Sequence, residues 1–105
     1  MPGFKFALVG NAEHFQPLVC LNQTVGNTAA ALASVPATAR GAVISGDGSA
    51  NAIRMTLDGT TPTATLGVRL DGTDTVMIVS RAALETMLLI REDGSDVVIS
   101  VQFFK

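Results

Sequence analysis

The sequence predicts an all-β domain, a small sandwich of about eight short antiparallel strands. Three observations lead there. Asp-Gly pairs occur four times along the chain, at 47–48, 58–59, 71–72 and 93–94. Runs of alternating apolar and polar residues lie between and after them, and helix-tolerant stretches are few and short. Asp bonds the backbone two residues on and Gly accepts positive φ, so each pair flanked by alternating residues reads as a hairpin turn. A chain of 105 residues has room for one domain with one core.

Taken in order, Phe4-Lys5-Phe6-Ala7-Leu8 alternates and reads as a strand. Pro17 to Thr24 is a second strand, and Ala42-Val43-Ile44-Ser45 a short third after the break at Pro36. Thr28 to Ala33 fits a helical turn or a strand equally. Ile53, Met55 and Leu57 share one face of the next strand, and Leu66, Val68 and Leu70 one face of the strand after it. Thr75 to Val79 follows. Ser80 then caps a helical turn near Arg81-Leu84, which leads into a strand from Thr86 to Arg91. The last strand, Val97 to Phe104, turns Val97, Ile99, Val101 and Phe103 to one side. Short strands joined by tight turns match an immunoglobulin-like or jelly-roll-like sandwich. Residues 39–105 form the hairpin-rich part of this single β domain, and residues 1–38 are a less regular N-terminal segment.

Composition narrows the function. Charged residues are 15% of the chain, against about 25% in an ordinary soluble domain, and hydrophobic residues are 48%. So small a globule shows much of its surface to water, and that balance is met if another chain covers part of it. The net charge is −2, no basic block occurs, and Tyr and Trp are absent, which argues against direct nucleic-acid binding. The longest apolar runs, such as Met87-Leu88-Leu89-Ile90, are far shorter than the roughly 20 residues of a membrane span. The N-terminus has no apolar stretch like that of a signal peptide. With Cys20 the only cysteine, no internal disulfide forms, consistent with synthesis in a cytoplasm, where thiols stay reduced.

Chemistry is sparsely represented. His14 and Cys20, the only histidine and thiol, lie six residues apart with no defined third member, so the pair reads as a loop histidine and a small cysteine. Asp71-Gly72-Thr73-Asp74 and Asp93-Gly94-Ser95-Asp96 each offer two carboxylates, too few for a calcium loop and well explained as turns. A Cys/His structural zinc site needs more such ligands than the chain has. A sugar site usually uses flat aromatic platforms, and phenylalanine is the only aromatic residue here. The expectation is a non-enzyme with no cofactor and no metal.

The string Ile53-Arg54-Met55-Thr56-Leu57-Asp58-Gly59-Thr60-Thr61-Pro62-Thr63 resembles a strand-turn pattern of small structural proteins of tailed bacteriophages. Ala39-Arg40-Gly41-Ala42-Val43-Ile44 before it, Gly67-Val68-Arg69-Leu70 after it and the final Ile99-Ser100-Val101-Gln102-Phe103-Phe104 extend the likeness over residues 39 to 105. The same turn is similar to one in immunoglobulin-like modules attached to chitin-degrading enzymes. Asp58, Gly59 and Pro62 have a local reason to be there, as turn-shaping residues. The resemblance implies a virion protein that decorates or cements a capsid, partnered by the major capsid protein or other virion proteins and by copies of itself. A tail, collar or head-tail joining component, or a receptor- or sugar-binding module, is the alternative. Phe4, Phe6, Phe15 and Leu18 are the candidate partner contacts, and a strand in that segment suits addition to a neighbour's sheet.

Overall fold

A computed structural model of the chain describes residues 16–48 and 51–105. Eight strands and one short helix follow in order: β1 (Pro17–Val25), β2 (Ala30–Ala31), β3 (Gly41–Ser45), β4 (Ala52–Thr56), β5 (Val68–Asp71), β6 (Thr75–Ile78), α1 (Arg81–Thr86), β7 (Leu88–Arg91) and β8 (Val97–Phe104). They form two antiparallel four-stranded sheets, ordered β1-β8-β3-β6 and β2-β7-β4-β5. The all-β sandwich expected from the alternating runs is therefore the fold observed. The strand expected at Phe4 to Leu8 lies outside the described residues, and so do Phe4, Phe6, Phe15 and His14 as candidate contacts and catalytic groups.

The core lies between the sheets and follows the alternation. Val97, Ile99, Val101 and Phe103 of β8 are each at most 1% exposed. They meet Ala42 and Ile44 of β3 and, from the opposite sheet, Ile53, Met55 and Leu89. Burial of this kind contributes roughly 25 cal/mol for each Å² of apolar surface removed from water. Among the described residues no buried side-chain nitrogen or oxygen lacks a hydrogen-bond partner.

The helical turn forms where expected. Ser80 is extended at φ −159°, and its Oγ accepts the Ala83 N–H at 3.1 Å. Ala83, Leu84 and then Met87 go into the core, so the turn acts as a plug at one end of the sandwich. Thr28 to Ala33, open between helix and strand from sequence, holds the two-residue β2. Gln23 clips it in place: its Nε2 donates to Ala31 O at 3.0 Å and its Oε1 accepts from Ala33 N at 2.9 Å.

Two expectations are corrected. Only Asp58-Gly59 sits between neighbouring strands of one sheet, in the 57–67 connection from β4 to β5. The other three Asp-Gly pairs join β3 to β4, β5 to β6 and β7 to β8, each time crossing between sheets. They are corners, not hairpin turns. The second correction concerns register. Leu57, Leu66 and Val68 are not core residues; they are 41%, 51% and 60% exposed, and of the expected Leu66, Val68 and Leu70 face only Leu70 is buried. Pairing ends at Thr56, and β5 begins at Val68, so neither Leu57 nor Leu66 is on a strand.

Candidate interaction surface

The two outer faces of the sandwich differ sharply in charge. On the β2-β7-β4-β5 sheet, Arg54 of β4 pairs in register with Arg69 of β5. Two guanidinium groups side by side repel. Glu92, just beyond β7, separates them: it lies 2.8 Å from Arg54 Nε and 2.9 Å from Arg69 Nε, and Asp71 takes a second Arg69 nitrogen at 2.5 Å. The hydrogen bond from Arg69 in particular, with a second from Arg54, holds the Glu92 carboxyl below its ordinary range. Such a group contributes stability above its unfolded-state value, and that contribution is lost as pH falls through the folded value. A melting-temperature profile against pH is expected to decline below about pH 4.5, and Glu92→Gln is expected to lower the neutral plateau and flatten that acid limb. An unchanged limb in the variant would assign acid lability to other carboxylates.

The outer face of the β1-β8-β3-β6 sheet carries none of this. Register fixes which side chains point outward. β1 presents Cys20, Asn22 and Thr24, and β8 presents Val98, Ser100 and Gln102. β3 presents Val43 and Ser45, set against Met77 and Thr75 of β6. Among the described residues no Asp, Glu, Lys, Arg or His lies on this face. Ser100 Oγ donates to Asn22 Oδ1 at 3.0 Å, and Gln102 Nε2 donates to two backbone carbonyls. Ser100, Asn22 and Gln102 thus bond within the sheet. At the lower corner Gly41 lacks a side chain because the Phe104 ring and the Ile78 carbonyl occupy the space a Cβ would take.

Among the described residues charge returns at the ends of this face. Arg40 and Lys105 flank one end, directly before β3 and after β8. Asp47 and Asp74 flank the other, beyond β3 and before β6, with Asp96 nearby on Arg91 at 2.5 Å.

A second feature is a shallow groove of about 440 Å³ beside the end of β4 and the start of β5, lined by Met55, Leu57, Asp58, Thr60, Leu66 and Val68 among others. Gly59 has φ +89° as the turn requires, and Asp58 Oδ1 accepts the Thr60 N–H at 3.0 Å. That bond lowers the Asp58 carboxyl below its usual range. Pro62 is fully buried, the Thr56 hydroxyl donates to Thr60 O, and Thr86 Oγ1 donates to Leu57 O at 2.6 Å. The turn residues therefore hold the loop's shape, and Asp58 is occupied in doing so. The edge of β5 is closed at Asp71, whose N–H and carbonyl are both bonded by Asp74 at 3.0 Å.

Of the sequence-predicted contacts, Leu18 leans partly on the core, and its neighbour Val19 is 40% exposed. Cys20 is free and exposed on the uncharged face. Among the described residues no three metal-ligating side chains gather, and no helix is long and apolar enough to cross a membrane. The uncharged face itself went unforeseen. Its signal is the make-up of the outward half of each strand, Ser, Thr, Asn, Gln and Val without a charge, which becomes visible only when the four strands are known to be neighbours. No protein-family model, no curated protein and no solved structure matches this chain.

Proposed function

We propose that this chain is a structural protein of a tailed-phage virion, one that decorates or cements the capsid by protein-protein contact and performs no catalysis. The observation that carries this reading is the uncharged outer face of the β1-β8-β3-β6 sheet. A four-stranded surface with no Asp, Glu, Lys, Arg or His among its described residues costs little to dehydrate, because buried charges are the expensive part of an interface. The strand-turn likeness over residues 53–63 supplies the phage context. The protein would be made in the host cytoplasm and end in the virion, held by the major capsid protein or other virion proteins. A tail, collar or head-tail joining role uses the same contacts at a different copy number. A receptor- or sugar-binding role would use the groove beside Leu57 and Val68, but its lining has no aromatic ring.

Quantitative mass spectrometry and electron microscopy of purified particles decide the matter. Hundreds of copies on the shell are expected; a dozen or fewer on the axis would assign the tail or collar, and absence from the particle would end the virion reading. A glycan array with reproducible binding lost in Thr60→Ala would favour the sugar module instead.

A further inference from the structure

We propose that the uncharged face of the β1-β8-β3-β6 sheet is where two copies of this chain pack on each other, with their strands running in opposite senses. This rests on the preceding reading that the face is an assembly surface, and it names the occupant. Three observations argue for a second copy. First, self-packing usually fails where identical charges meet, and this face has none to oppose. The Thr24, Ser45 and Thr75 hydroxyls on it both donate and accept hydrogen bonds, so they can pair with hydroxyls of a second copy.

Second, the ends of the face are complementary to each other. Turning a second copy end for end sets Arg40 and Lys105 of one against Asp47 and Asp74 of the other, twice over, by a two-fold axis across the strands. A parallel arrangement would set like against like.

Third, the area suits a weak dimer. Strands of nine, eight, five and four residues, with roughly 3.3 Å per residue and about 4.8 Å between neighbours, make a face of about 400 Å². Two such faces bury on the order of 800 Å², less than the roughly 1,000 Å² of a stable interface. The dimer is therefore reversible and concentration-dependent. Sheets packed this way sit about 10 Å apart, and the end-for-end turn brings Cys20 of both copies to the same side of the interface, near the strand it shares with its own image.

Sedimentation equilibrium of the full chain from about 1 to 500 μM tests this. The expected result is a monomer-dimer equilibrium. Val43→Lys, at the centre of the face, should weaken it at least tenfold, while Val43→Thr and Val68→Lys, the latter beside the groove, leave it unchanged. Circular dichroism confirms that each variant is folded. A six-carbon bismaleimide should join Cys20 to Cys20 in the wild type and much less in Val43→Lys, and raising salt from 50 to 500 mM should weaken the dimer at least about twofold. A wild type monomeric at 500 μM overturns the inference, as does dissociation by Val68→Lys with Val43→Lys still dimeric. If the monomeric protein is nonetheless on particles and Val43→Lys removes it from them, the face docks another protein and the virion reading survives alone. A dimer that never appears on particles leaves this inference standing and ends that reading.

Discussion

Replacing Phe103 with alanine is expected to cost about 3–5 kcal/mol of stability. Phe103 is fully buried and points inward from β8, which is paired on both sides, with β1 and with β3. That two-sided pairing decides the magnitude. A core position on an edge strand can collapse into the space a ring vacates; one on a central strand is held at fixed spacing by its ladders, so the cavity stays open. The loss includes both the transfer of the ring from water and the contacts its former neighbours no longer make. A domain of this size has roughly 5–15 kcal/mol in all, so the variant should melt at least about 12 °C lower and unfold at markedly lower urea. Val98→Ala is the control. Val98 belongs to the same strand but points to the uncharged face and is 42% exposed, so its loss should stay near 0.5 kcal/mol. Comparable losses at both positions would overturn the assignment of inner and outer faces on β8.

The contrast between Phe103 and Val98 also shows what the sequence discloses. Strict alternation over Val97 to Phe104 identifies the strand, its inward side and its burial without any knowledge of partners, because a period of two is a local property. Thr65 to Leu70 alternates just as well, yet Leu66 and Val68 are exposed. Alternation tells which residues share a side; it does not tell whether an opposing sheet extends far enough to cover that side. Strand β6, the sheet-edge strand joined to β5, is short and ends at Ile78, and β5 begins only at Val68.

The Asp-Gly pairs fail for a related reason. Their turn chemistry was legible, but whether a turn returns the chain to the same sheet or carries it to the other depends on the flanking strands' partners, which are distant in sequence. The uncharged face was hidden in the same way. Cys20, Val43, Met77 and Ser100 are far apart along the chain, and only the order β1-β8-β3-β6 makes them one surface. The low overall charge was the visible trace of it. Since the ionic groups present are drawn to the opposite face and to the ends, the shortage falls almost wholly on this one sheet.

Those sheet-crossing corners carry the second large effect. Gly46→Ala is expected to destabilise the domain by about 3 kcal/mol, at the upper end for overpacking. Gly46 follows β3 and Gly72 follows β5, at two of the places where the chain leaves one sheet for the other. The corners lie directly against each other. Gly48 N–H donates to Gly72 O at 2.7 Å and Gly46 N–H to Asp74 O at 3.3 Å. A Cβ on Gly46 would stand 2.5 Å from Gly72 Cα, 2.6 Å from its oxygen and 2.7 Å from its carbonyl carbon. All three are backbone atoms, so no side chain can rotate away, and relief requires parting the corners and breaking the bonds between them. Gly48 separates this from an ordinary turn effect. Its φ is +85° but a Cβ there meets nothing within 4 Å, so Gly48→Ala should cost only about 1 kcal/mol, the usual penalty for that backbone region. Chemical denaturation of the two variants side by side measures the difference. If Gly48→Ala proved the costlier, the corners would be held by turn conformation, and the contact between the two crossings would not be what binds the sheets together at that end.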